Sequence, residues 1–214
     1  MKTSIFILFF LSTYAVIAQM PKPSPITMTS EYLSENEDVS DLMFFEGVAF
    51  YNMKFTGADL KGSTFKLTAK EIWNGKLKKE TVVTNSATID VPGLEKLKDT
   101  VFDFKVISKV TSDNKLKMSF KFPRFGRTME FDAIKSDDYS LRNIAETFKE
   151  DIIKGEKFYL MAYILPYEKD GAKYWCAVEN SGKDIENWGK KFGIKHYLVF
   201  EMCFDCKEPV AGRQ

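Results

Sequence analysis

Cys203-Phe204-Asp205-Cys206 carries the C-x-x-C spacing at which two thiols can exchange a disulfide. Thioredoxin-type reactivity needs that motif after a strand and at a helix start, where the helix dipole lowers the thiol pKa. Pro209 and Gly212 follow within the last eight residues, so a helix is not expected there. A structural staple or an inert thiol is the expectation. Cys176 is the third cysteine, and an odd number in an oxidising compartment allows one disulfide and one leftover thiol among Cys176, Cys203 and Cys206.

The single histidine, His196, narrows the catalytic menu further. On a regular strand His196 and Cys203 are seven apart and point to opposite faces. That argues against a Cys–His nucleophile and against a His–Cys metal site. No G-x-S-x-G, H-E-x-x-H, phosphate-binding loop or calcium loop occurs. The acid pairs Asp137-Asp138 and Glu150-Asp151 read as helix lead-in charge and a wet helix face. No residue is assigned a catalytic or metal-ligating role, and no cofactor is expected.

Tyrosines are the more suggestive side chains. Asp170-Gly171 predicts a two-residue turn that pairs Lys169 with Ala172, Tyr167 with Tyr174, Leu165 with Cys176 and Tyr163 with Val178. Tyr163, Tyr167 and Tyr174 then share one face, and Trp175 lies on the other. Such rings can stack on a sugar or anchor a peptide. The competing reading is that a helix covers that face and the rings are core. Tyr163, farthest from the turn, is the most core-like of the three.

The elements that would position these residues are mostly strands. Asn74-Gly75 between Ile72-Trp73 and Lys76-Leu77 is a strong hairpin signal, pairing Trp73 with Lys76, Ile72 with Leu77 and Glu71 with Lys78. A second hairpin joins 102–110 to 116–122. Leu116, Met118, Phe120 and Phe122 alternate with Lys115, Lys117, Ser119 and Lys121, so one face is buried and one wet. A helix is predicted from Ser140, with Leu141, Ile144, Ala145, Phe148 and Ile152 at helical spacing and Gly155 as its stop. Strands at 158–167 and 172–178, a short helix at 183–192 and a last strand at 195–204 complete the chain. The fold class is α+β, mainly antiparallel β. Its first half (39–132) is β-sandwich-like, and its second (133–208) runs helix, strand, strand, helix, strand, as a unit of its own or continuous with the first.

Residues 1–18 have an early lysine, an apolar run over 5–11 and Val16-Ile17-Ala18, the pattern of a cleaved signal peptide. Export to the periplasm or the medium follows as an expectation. Residues 19–38, with Pro21, Pro23, Pro25 and a run of acids, read as a flexible arm, with order starting near Val39–Phe44. The chain has 31 Lys and Arg against 30 Asp and Glu, and removing the leader takes away Lys2 alone, leaving a balance of zero. This excludes a strongly basic nucleic-acid binder. Beyond the leader no apolar run reaches the ~20 residues of a membrane helix. Charge is nonetheless uneven: Glu31, Glu35, Glu37, Asp38, Asp41 and Glu46 fall in a stretch without a base. Lys105, Lys109, Lys115, Lys117, Lys121, Arg124 and Arg127 are accompanied by one acid, Asp113.

The leader ending Ile17-Ala18-Gln19, the Asp59-Leu60-Lys61-Gly62 lead-in, the Glu71–Lys76 strand and turn, and Phe122-Pro123-Arg124-Phe125 together resemble small exported β-rich proteins of gut Bacteroidetes grouped in domains of unknown function. The resemblance implies export and a β-rich domain, with no activity to transfer. The sequence thus points first to an exported, non-enzymatic binding module for a glycan, a peptide or a protein. The alternative is a hydrolase acting on glycans through carboxylates that the fold assembles.

Overall fold

The structure, a computed structural model, describes residues 25–149, 151–175 and 184–206. It is a mainly antiparallel α+β fold with two five-stranded sheets packed face to face. In chain order the elements are β1 (Thr27–Tyr32), α1 (Glu37–Phe45), β2 (Ala49–Thr56), β3 (Phe65–Trp73), β4 (Lys76–Asn85), β5 (Val101–Val110), β6 (Lys115–Lys121) and β7 (Gly126–Asp132). There follow β8 (Ser140–Asn143), α2 (Ile144–Phe148), β9 (Lys157–Ile164), β10 (Tyr167–Lys169), β11 (Ala172–Tyr174), a 3-10 turn at Ile185–Asn187, α3 (Trp188–Phe192) and β12 (His196–Phe204).

The first sheet has the order β1-β2-β5-β6-β7 and the second β4-β3-β12-β9-β8. Strand alternation decides which side chains meet between them. Met53 and Phe55 on β2, Phe102, Phe104 and Val106 on β5, and Leu116, Met118 and Phe120 on β6 face inward and are buried. From β12, Phe200 meets Phe120 at 5.3 Å and Phe204 meets Phe55 at 5.4 Å between ring centroids. The alternation of β5 and β6 read from sequence is the alternation of this core.

Every residue of β12 is buried, because its second face is covered as well. The Tyr197 hydroxyl donates to the carbonyls of Ile185 (2.9 Å) and Glu186 (3.0 Å) and accepts from the Gly189 amide at 3.1 Å. These bonds seat the 3-10 turn and α3 on the outer face, with Trp188 fully buried beneath. The Asn74-Gly75 turn forms with both residues at positive φ, 49° and 71°. A Cβ on Gly75 would stand 2.7 Å from the Lys190 backbone nitrogen, so this turn tolerates only glycine against α3. Trp73 pairs with Lys76 and Ile72 with Leu77, but a register shift then sets Glu71 opposite Lys79 rather than Lys78.

Three expectations are corrected. Of the segment read as an arm, 19–38, residues 19–24 lie outside the described ones, Thr27–Tyr32 form an edge strand with Tyr32 opposite Tyr51, and α1 begins at Glu37. The strand's apolar and threonine side chains suit a half-buried edge, and Ile26 is tied by its amide to the Ile152 carbonyl at 3.1 Å. The helix expected from Ser140 to Ile152 is a strand, Ser140–Asn143, followed by a helix of five residues capped by Asn143. Leu141 and Asn143 are buried while Ser140 and Arg142 are half-buried, a period of two, and pairing with β9 outweighs the helical spacing. The hairpin expected from 158 to 178 is split: β9 belongs to the second sheet, and β10 and β11 form a separate two-stranded ribbon. The leader lies outside the described residues.

Candidate functional site

The ribbon places Tyr167 opposite Tyr174 and Lys169 opposite Ala172, the register expected from Asp170-Gly171. The two rings stack at 5.5 Å. Tyr167 also packs on Phe192 of α3 at 5.3 Å, so the flanks of its ring are taken by protein. Tyr174 is exposed, at 39%. Tyr163 does not join them: it sits in β9, 3% exposed, edge-on to Tyr139 at 5.7 Å, with burial pushing its hydroxyl up to about 12. Its partners in the ladder are Leu141 and Leu198, because β9 belongs to the second sheet, and its expected partner Val178 lies outside the described residues. The Trp175 indole donates to the Asp138 carbonyl at 2.8 Å, and the Asp138 carboxylate takes Lys173 at 2.6 Å, anchoring the ribbon to the loop before β8.

Cys203 and Cys206 form a disulfide, with 5.8 Å between their Cα atoms. Asp205 between them accepts from the Thr64 amide (2.6 Å) and holds Lys154 at 2.8 Å, which keeps its carboxyl below the usual range despite partial burial. The motif is therefore a staple at the end of β12, with Cys203 and Phe204 in the strand. Cys176 lies outside the described residues.

His196 is buried at the start of β12, its ring 4.1 Å from Trp73. The Tyr139 hydroxyl accepts from the Ile134 amide and lies 2.5 Å from Nδ1, leaving its own proton for that nitrogen. The imidazole hydrogen is then on Nε2, which has no hydrogen-bond partner among the described residues. Burial first, then Lys78, lowers the His196 pKa to about 4, against a smaller opposing effect of Asp132. A neutral ring walled in this way packs; it does not shuttle protons at neutral pH.

The fold does assemble carboxylates, on the outer face of the second sheet. Lys70 on β3 binds Glu186 at 2.6 Å and Glu201 at 3.0 Å. Lys157 reaches the other oxygen of Glu201 at 2.7 Å, and the Tyr159 hydroxyl donates to Glu186 at 3.0 Å. Although burial alone would raise it, Glu186 is held below the usual carboxylate range by Lys70 and Tyr159. Lys70 is held protonated by both acids, against the effect of burial. The cluster ties the 3-10 turn to β3, β9 and β12. Among the described residues, no group of three or more His, Cys, Asp and Glu is placed to hold a metal ion.

What the sequence reading missed is α1. It connects β1 to β2 at one end of the first sheet. Asn36 caps it by accepting from the Val39 amide at 3.1 Å, and Ser40 turns inward to bond Ser34 at 2.7 Å. No residue of the helix is buried. Phe44 and Phe45 are 82% and 84% exposed, Leu42 62%, and Tyr32 on the neighbouring strand 56%, its ring 4.9 Å from Tyr51. Glu31, Glu35, Glu37, Asp38, Asp41 and Glu46 lie on or beside β1 and α1, and among the described residues Glu46 alone of these meets a base, Lys109 at 3.6 Å. The signal was legible: an Asn cap, two acids in the first turn, then Leu-Met-Phe-Phe.

The lysine stripe of β5 and β6 is mostly answered by its neighbours. Lys115 pairs with Asp132 at 2.6 Å, Lys117 with Glu130 at 3.7 Å, and Lys105 lies over the Phe50 ring. This is a solvated sheet face with cross-strand pairs. No described helix is long and apolar enough to cross a membrane. The chain matches no protein-family model, and comparison with curated proteins and with solved structures finds no match.

Proposed function

We propose that the chain is an exported, non-enzymatic interaction module that docks a protein through α1. The observation that carries this is the exposure of Phe44 and Phe45 on a helix with no buried residue. A clustered apolar surface of this kind on a folded domain marks an interaction site. Adjacent Leu42 and Tyr32 widen it, and aromatic anchors of this sort dominate interface energetics. The acids around it define the partner: an apolar groove edged by lysine or arginine. A lipid surface fits poorly, since interfacial helices carry basic polar faces and anionic headgroups repel this one. Stacking on Tyr167 takes one face of the Tyr174 ring, and Lys70 holds Glu186 and Glu201 in ion pairs, both of which favour the module reading over a glycan platform or a hydrolase. The leader pattern and the Cys203–Cys206 disulfide support export, since disulfides persist in oxidising compartments.

The test uses immobilised full-length protein and the Phe44→Ser/Phe45→Ser variant, presented with periplasmic and medium proteins of the source cells. A partner held by the wild type should be lost by the variant, a loss of about 2 kcal/mol or roughly 30-fold in Kd. It should also weaken in salt and with Asp38→Lys/Asp41→Lys. Equal retention by wild type and variant would refute the surface, as would tight binding to phosphatidylcholine–phosphatidylglycerol vesicles in place of protein.

A further inference from the structure

At the opposite end of the first sheet from α1, the segment before β5 and the turn after β6 enclose a pocket of about 230 Å³. Its floor is aromatic. Phe65, Phe102 and Phe122 are buried, with centroids 4.7 Å apart for Phe65–Phe102 and 5.3 Å for Phe65–Phe122. Phe125 stacks on Phe122 at 4.7 Å.

The rim is cationic. Lys96, Lys98 and Arg124 line it, against Asp99 and Asp103. Asp103 stands opposite Lys54 on β2, and the nearby Glu95 carboxylate is engaged by the Gly93 amide at 2.7 Å. Lys98 and Arg124 converge on one point: Nζ and Nη1 lie 3.7 and 3.5 Å from where a Cβ on Gly93 would stand. Arg124 gives one N–H to the Gly93 carbonyl at 2.9 Å. Backbone amides lower the Glu95 carboxyl pKa and Arg124 is near enough to lower it further, but among the described residues no carboxylate forms an ion pair within 4.0 Å of the Arg124 guanidinium or the Lys98 ammonium group.

We propose that this pocket binds a small carboxylate with an aromatic or apolar body, the body seated on the phenylalanine floor and the carboxylate held by Lys98 and Arg124. The volume is below the roughly 300–1,000 Å³ of drug-sized sites, which suits one ring on a short chain rather than a polymer. Charge-assisted bonds from a lysine and an arginine select an anion over its neutral isostere. The site is independent of α1, which lies where β2 begins, whereas the pocket lies where β2 ends.

The full chain should be titrated with 3-phenylpropionate, 3-phenylpropan-1-ol and 3-phenylpropylamine, following phenylalanine ring resonances by NMR. The acid should bind about tenfold tighter than the alcohol, and the amine weakest. Lys98→Met/Arg124→Gln, with an unchanged circular dichroism spectrum, should erase the preference for the acid. Val101→Trp, at an exposed position of the rim, should fill the pocket and remove binding of all three. The proposal is overturned by equal binding of acid and alcohol, by binding that survives Val101→Trp, or by no saturable shift at the solubility limit of the acid.

Discussion

His196 shows what burial does to a lone imidazole. The folded chain keeps it neutral down to about pH 4, while the unfolded chain protonates near 6.5. Above pH 6.5 both states are neutral and the contribution is whole. As pH falls from 6.5 towards 4 the unfolded chain takes up a proton that the fold refuses, and stability should drop by up to about 3 kcal/mol. Glu186 and Asp205, whose folded pKa values are depressed, act lower: their contribution is present above the ordinary carboxylate range and is lost as acid protonates them. Two windows are therefore expected, the upper one belonging to the histidine. An NMR titration of the single imidazole checks the assignment. A ring that titrates near 6.5 in the folded protein would mean His196 is reached by water, and its buried position would have to be abandoned. None of this was visible in the sequence, where His196 could be excluded from a Cys203 pairing by strand geometry but its neighbours Trp73 and Tyr139, far along the chain, could not be named.

Among elements, the turn at Ile185–Asn187 and α3 are too short to be stable alone, and their hold on the sheet is specific. Lys70→Met removes the centre of the cluster and leaves the half-exposed Glu186 with the Tyr159 hydroxyl but no cation, and Glu201 dependent on Lys157. Breaking a buried pair from one side costs about 3–5 kcal/mol. The partial exposure of Glu186 and the surviving Lys157 contact place this change at the lower end. Hydrogen exchange should show the Gly189 and Trp188 amides opening first. Protection unchanged there, with loss spread evenly over the sheets, would contradict the role given to Lys70. The legibility of elements followed their length. β5 and β6 alternate over seven residues or more and were read correctly, as were the turns at Asn74-Gly75 and Asp170-Gly171, where positive φ leaves few residue choices. Residues 140–148 satisfy two periods at once, and the edge of β9 decided between them. β1 is an edge strand with no buried side chain, so its pairing with β2 left little local trace, and α1, though its cap and first-turn acids were legible, offered no core-facing stripe.

The second sheet draws β4 and β3 from the first half of the chain and β12, β9 and β8 from the second, with β3 and β12 paired over nine residues at its centre. The two halves read from the sequence are therefore not independent in the folded molecule. A fragment ending at Asp132 would keep the first sheet but leave β3 without β12, exposing Leu67, Ala69 and the inner rings Phe55 and Phe120 that Phe200 and Phe204 cover. A fragment starting at Ala133 would have β12 and β9 with no opposing layer. Each loses more apolar burial than a domain stable by 5–15 kcal/mol can spare. Neither fragment should give a cooperative denaturant transition, and the two co-expressed should reassemble. In the intact chain tryptophan fluorescence and far-ultraviolet dichroism should follow one transition, since Trp73 and Trp188 lie on opposite halves but report one sheet. Phe120→Ala, which opens the contact to Phe200 across the layers, should shift that whole transition by about 3–5 kcal/mol, while Lys117→Ala on the wet face moves it by no more than about 0.5 kcal/mol. A cooperative transition from either fragment alone would show that one half holds a core of its own.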